Sequence, residues 1–307
     1  MPTGTPRPAL SVVVVAFTGR PDLLRDCLQA LAEQRDSGDL EVIVIAPTPV
    51  GTDTELEWLS ARFAGGFAVR ETPDLTIPHM RRVGITMAHG DVVALIEDDC
   101  VVAPGWAAAF VNAHRDHHAA VGGAVEPGSY RRLLDWAAYL SDYWRFMLPI
   151  GRGHSSRLPG NNVPYTRDVI DELLAITADN GLQEAFVHER WHVDGKSLLA
   201  EPAAVVRNEH RWGIRDVTCV PFHHGRAFGG QRAQNWSVPR RAVFAVASAA
   251  LPVLHVIRIV QRVRNRGTGG VPVLRALPWL GVFGVSWAAG ECLGYAAGAG
   301  ASLKEWR

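Results

Sequence analysis

Residues 11–16, Ser-Val-Val-Val-Val-Ala, are apolar without alternation, the pattern of a strand buried on both faces of a parallel sheet. Leu23, Leu24, Cys27, Leu28 and Leu31 follow at helical spacing behind Pro21, a residue suited to a first helical turn. A second strand is expected over 41–46 after a turn at Asp36 to Asp39. Asp53 is read as the cap of a helix reaching Phe63, and a short strand is expected near 67–70. Residues 77–89 read as a helix closed by Gly90, and 92–96 as a third buried strand that runs into Glu97, Asp98 and Asp99. Strands alternating with helices predict an α/β fold with a mainly parallel sheet flanked by helices.

The regularity weakens from 129 to 180, where a Trp- and Tyr-bearing amphipathic stretch (133–146) precedes a Gly-, Ser- and Asn-rich loop (154–162). Residues 195–210 read as a strand and its continuation, and 212–232 as an amphipathic connector. Composition changes at Pro239: residues 242–257 and 276–290 carry no Asp, Glu, Lys or Arg. A 16-residue run covers roughly 24 Å as a helix, short of a hydrocarbon core of about 30 Å. Arg240 and Arg241 precede the first run, and Arg258, Arg262, Arg264 and Arg266 follow it. A spanning helix would place one cluster on each side of a bilayer, whereas a hairpin lying in one face keeps both together. With Trp279 and Trp287 this favours a membrane-associating C-terminal region, residues 236–307, over a soluble helical subdomain.

Lys plus Arg and Asp plus Glu are both 31 in 307 residues, so no basic excess argues for nucleic acid as a partner. Cys27, Cys100, Cys219 and Cys292 form no CxxC pair, which argues against a disulfide framework or a thiolate zinc site and fits a cytosol-facing protein. The N-terminus has no secretory signal pattern.

Glu97, Asp98 and Asp99 stand at the carboxyl end of a buried strand, where doubly wound sheets place their ligand crevice. Adjacent carboxylates repel unless a cation lies between them, and oxygen ligands suit Mg²⁺ or Mn²⁺ bridging a diphosphate. A second motif, His188-Glu189-Arg190-Trp191-His192, matches the HExxH zinc-hydrolase pattern. Its setting is poor: Asp194-Gly195 follow at once, and Gly181 lies seven residues upstream, leaving little room for a helix.

The first strand with Arg20-Pro21, the second strand, Arg81-Arg82-Val83-Gly84-Ile85, and Gly90-Asp91 leading to Glu97-Asp98-Asp99 together resemble the family 2 glycosyltransferases of the GT-A fold over roughly residues 10–235. That resemblance implies a Rossmann-like catalytic domain, residues 1–235, and an inverting transfer from a nucleotide-diphosphate sugar with Mn²⁺ or Mg²⁺. It implies Glu97 and Asp99 as metal contacts, Asp98 near the ribose, Ala16, Thr18 and Arg20 near the base, and His210 as a third ligand. Arg81 joins the donor side, and Asn161 and Asn162 match the family's acceptor-side Gly-Asn segment. Glu189 or Glu184 is the expected general base. The tail from Phe222 to Arg232 and the two apolar segments resemble membrane-associated bacterial members. This implies a lipid-linked or cell-envelope glycan acceptor, on the cytoplasmic side of the cell membrane. Two departures stand out: Ala46-Pro47 end the second strand where the family usually has Asp, and Arg82 replaces an Asn. The rival functions are a zinc metallohydrolase built on His188, Glu189 and His192, and a non-catalytic scaffold with a degenerate donor site.

Overall fold

The computed structural model describes residues 7–35, 38–50, 58–266 and 272–305. The expected turn at Asp36 to Asp39 falls partly, and the cap at Asp53 wholly, outside the described residues. The chain divides into two compact units, residues 1–126 with 146–209, and residues 127–145 with 210–307.

In the first unit β1 (Leu10–Val15) pairs in parallel with β2 (Leu40–Ala46) and β4 (Val92–Glu97), and β2 pairs in parallel with β3 (Gly66–Glu71). Val12 to Val15 are fully buried, and each such side chain contributes roughly 1.5–3 kcal/mol of apolar transfer energy. Beyond β4 the partners become antiparallel: β8 (Asn162–Thr166) lies on β4, and β6 (Ala120–Pro127) on β8. β9 (Leu198–Asn208) then carries β5 (Cys100–Val102) and β7 (Gly153–His154) on its flanks. The sheet is thus mixed, nine-stranded among the described residues, with its parallel half formed by β1 to β4.

Helix α1 (Pro21–Ala32) buries its five predicted apolar positions, with Pro21 in the first turn. Helix α2 (Ile77–Met87) lies directly on β1, because a Cβ on Gly84 would stand 2.1 Å from Val13 Cγ1. It stops at Met87 rather than running to Gly90. Gly90 serves a different purpose: a Cβ there would meet the Ser11 backbone nitrogen at 2.7 Å, so glycine lets the chain pass β1. Helices α3 (Trp106–Ala113), α5 (Ile170–Ile176) and α6 (Glu184–Val193) complete this unit.

The second unit comprises α4 (Leu133–Tyr143), α7 (Asp216–Arg232), α8 (Val238–Ala247), α9 (Leu251–Arg266) and α10 (Val273–Ala297). Composition places a boundary at 235, but packing groups α4 and α7 with the C-terminal helices. The reason is a backbone-to-backbone contact of α7 with α10. A Cβ on Gly225 would stand 2.3 Å from the Trp287 carbonyl oxygen, and one on Gly290 would stand 2.0 Å from that of Phe222. Among the described residues, two helical stretches are long and apolar enough to cross a membrane, Val238–Arg266 (α8 continued by α9) and Val273–Ala297.

Candidate active site

Strands β1 and β4 are neighbours, so the loop leaving β1 meets the acidic end of β4. Asp98 accepts hydrogen bonds from Thr18 Oγ1 at 2.5 Å and from the Phe17 and Thr18 backbone N–H groups at 3.3 Å. It is buried and raised to about 7 by that burial and by the Asp99 charge, against the pull of those donors. Asp98 therefore fixes the shape of the loop. A cavity of about 310 Å³ opens beside it, taking in Ala16, Arg20 and Asp98 from the predicted set. Arg25, Thr48, Pro49 and Val50 line it as well, although sequence reasoning passed over them; their signal was position, one turn into α1 and immediately after β2. Ala46 offers this cavity a methyl group where the family usually has a carboxylate.

Arg81, on α2, is the centre of a buried ion-pair chain. Its Nη2 donates to Glu97 Oε1 at 2.6 Å, and its Nη1 lies 2.5 Å from Glu184 Oε1. All three side chains are at most 9% exposed. Burial, opposed by Arg81 and reinforced by Asp99 and Glu184, raises Glu97 to about 7. Burial likewise raises Glu184, with Arg81 pulling it down. Gly160 makes room for this carboxylate, since a Cβ there would come within 2.8 Å of Glu184 Oε2. The guanidinium expected on the donor side is thus held by two protein carboxylates.

Helix α6 turns Glu184, Val187, His188 and Trp191 inward. Glu189, five residues on, lies about 140° around the helix from Glu184 and is exposed. The structure therefore brings Glu184, and not Glu189, to the acid group. The HExxH motif does lie in a helix, against the expectation from its flanking glycines, but it does not assemble a zinc site. His188 is buried with Nε2 3.1 Å from the Tyr165 hydroxyl, and burial lowers it to about 3, whereas Glu189 and His192 face outward.

Glu97, Asp99 and Cys100 each bring one ligand-type atom within 4.8 Å of the others, the one such group of three among the described residues. The buried side chains around it comprise four carboxylates, Glu97, Asp98, Asp99 and Glu184, against the single guanidinium of Arg81. Asn161, 1% exposed, donates to Cys100 Sγ at 3.4 Å and leaves its Oδ1 without a partner. A surplus of buried carboxyl groups with a spare oxygen donor fits a hard divalent cation, which would favour their ionised forms. Asn162 is otherwise engaged. It accepts from Trp106 Nε1 at 2.8 Å and donates to the carbonyls of Ala124 at 2.9 Å and Ala204 at 3.0 Å. Its amide ties α3, β6 and β9 together. His210 begins the second unit, its ring edge-on to Trp212. The residue before it, Glu209, donates its backbone N–H to the Asp99 carbonyl at 2.8 Å.

Residues 11–174 match the family described as glycosyl transferase family 2. The chain belongs to that family. Its fold is GT-A-like and its activity class is glycosyl transfer. The mannosyltransferase PcManGT from Pyrobaculum calidifontis, solved with GDP-Man and Mn²⁺, has a TM-score of 0.59 at 16% identity, covering 94% of this chain and 88% of that one. GalNAc-T7, solved with UDP, GalNAc and Mn²⁺, has a TM-score of 0.50 at 14% identity, covering 68% and 45%. At these identities both likenesses speak to the fold. No curated protein sequence matches the chain.

Proposed function

We propose that this glycosyltransferase moves a sugar, with inversion, from a nucleoside-diphosphate sugar to a lipid-linked or cell-envelope glycan acceptor, at the cytoplasmic face of a membrane. The observation that carries the reading is the buried Glu184–Arg81–Glu97 chain, with Asp99 beside it, at the carboxyl end of β4. The cavity lined by Ala16, Arg20 and Asp98 suits the nucleoside, with the β1 loop held in place by Asp98. The Mn²⁺ found with the two similar enzymes supports a divalent cation here. Asp99 and Glu97 would hold it, with Asn161 as a further donor. When bound, such an ion neutralises the charge that develops on a departing diphosphate.

An inverting transfer needs one carboxylate to take the acceptor hydroxyl proton. Geometry favours Glu184 for that role over Glu189, because Glu184 alone stands in the acid group, its carboxylate anchored by Arg81 and backed by Gly160. The apolar helices Val238–Arg266 and Val273–Ala297, with their arginines, support a membrane-surface location and so an acceptor presented there.

The test is thermal stabilisation by UDP-, GDP- and dTDP-sugars, with and without Mn²⁺, in the wild type and Asp99→Asn. Stabilisation by one nucleotide class that needs Mn²⁺ and Asp99 is expected. Absence of stabilisation by any donor would overturn the reading in favour of a non-catalytic scaffold.

A further inference from the structure

Within the second unit a groove of about 730 Å³ runs between α7 and α10, lined by Cys219 and Phe222 from α7 and by Pro278, Gly281, Val282 and Val285 from α10. Its walls are mostly carbon. Gly281 leaves it open, since a Cβ there would meet nothing within 4 Å, and Val282 and Val285 remain 37% and 60% exposed. An apolar trough on the outside of a folded unit calls for an apolar occupant.

Three observations identify the occupant. The first is charge. From Val217 to Gly290 the chain has nine Arg and no Asp, Glu or Lys, and the second unit as a whole has sixteen Lys and Arg against five Asp and Glu. The second is placement. Arg275, Pro278, Val282 and Val285 stand at offsets of 0, 3, 7 and 10, within about 80° of one another around a helix, so Arg275 shares the groove's face of α10 just ahead of it. Arg275 is exposed and makes no ion pair among the described residues. The third is length. The ten residues from Arg275 to Val285 rise about 15 Å, half of a hydrocarbon core of about 30 Å and so the depth of one leaflet.

We infer that this groove binds one chain of an anionic phospholipid, with Arg275 on the head-group phosphate. The inference rests on the membrane-surface part of the proposed function and not on sugar transfer. A lipid held this way would fix the depth of α10 in the leaflet, where an unspecific basic surface would only hold the protein near it.

Cys219 provides the readout. It is exposed, while Cys27 and Cys100 are buried and Cys292 is half-buried. In the full chain carrying Cys292→Ser, the alkylation rate of Cys219 is measured against dihexanoyl phosphatidylglycerol or phosphatidylcholine below their micelle concentrations. Saturable slowing is expected, at about fivefold lower concentration for the anionic lipid. Arg275→Gln should erase that preference, and Gly281→Phe, which adds bulk where a Cβ meets nothing within 4 Å, should abolish the lipid dependence. No saturable slowing, or equal slowing by both head groups, overturns the inference. Flotation with vesicles of phosphatidylcholine alone or mixed with phosphatidylglycerol separates the two readings. Vesicle binding without protection of Cys219 sinks the groove and leaves the membrane reading standing; protection without vesicle binding does the reverse.

Discussion

Arg81 Nη1 lies 2.5 Å from Glu184 Oε1 inside the protein, and the other arm of the same guanidinium reaches Glu97. One side chain of α2 thereby joins the start of α6 to the end of β4. Removing one member of a buried pair leaves a charge with no partner, at a cost of about 3–5 kcal/mol. Arg81→Met is therefore expected to lose stability on that scale in urea denaturation. Arg81→Lys should recover only part of it, because an ammonium on a single stem cannot reach two carboxylates as a planar fork does. A wild-type urea midpoint in Arg81→Met would refute this account of the chain.

How much of this was legible in the sequence depends on the range of each interaction. The parallel strands were readable because burial on both faces writes an unbroken apolar run, and the acids of β4 because they interrupt one. The ion pairs of Arg81 join residues 81, 97 and 184, and no local pattern encodes such a meeting. Glu189 and Glu184 both stood open as the base, and only the helical rotation that turns Glu184 inward and Glu189 to solvent separates them. Asn162 sat in a recognisable Gly-Asn segment, yet its partners come from three other elements. The glycines at 225, 229, 290 and 294 went unread, because their four-residue spacing has meaning only where α7 and α10 face one another.

Glu184→Gln keeps the size of the side chain while removing its proton affinity. If Glu184 takes the acceptor proton, kcat should fall about 10²–10⁴-fold with the donor KM little changed. Glu189→Gln, an exposed change, should stay near wild type. Steady-state kinetics on the two variants decide between them, and a large loss in Glu189→Gln with a mild one in Glu184→Gln would reverse the assignment.

Asn162 makes three buried hydrogen bonds, so Asn162→Ala would strand Trp106 Nε1 and two carbonyl oxygens. Each buried group left unpaired costs about 1–3 kcal/mol. The variant should show a large fall in folded yield and melting temperature that donor and Mn²⁺ do not selectively restore. A stable Asn162→Ala that had lost only donor binding would return this residue to the ligand-binding set.

Two buried histidines make stability depend on acid. Burial lowers His188 to about 3 and His114 to about 4, against an ordinary value of about 6.5. The fold thus binds fewer protons than the unfolded chain. Their contribution is complete above about pH 6.5 and declines as pH falls through the window down to those lowered values. Glu97 and Asp98, raised to about 7, act with the opposite sign as pH rises. The informative quantity is therefore the stability difference between wild type and His188→Asn, which should shrink as pH drops from 6.5 to 4.5. A difference independent of pH would show that His188 is not held neutral.

Glycine packing in the second unit gives a graded test. Gly290 faces the Phe222 carbonyl, which an added Cβ would approach to 2.0 Å, whereas a Cβ on Gly281 in the same helix meets nothing. Forcing a methyl group into a close-packed contact costs about 1–3 kcal/mol, and a backbone neighbour yields less easily than a flexible side chain. Replacing an unconstrained helical glycine by alanine stabilises by up to about 1 kcal/mol. Gly290→Ala should thus lower the melting temperature of the purified protein while Gly281→Ala raises it slightly. Equal effects at the two positions would mean that α7 and α10 do not meet backbone to backbone.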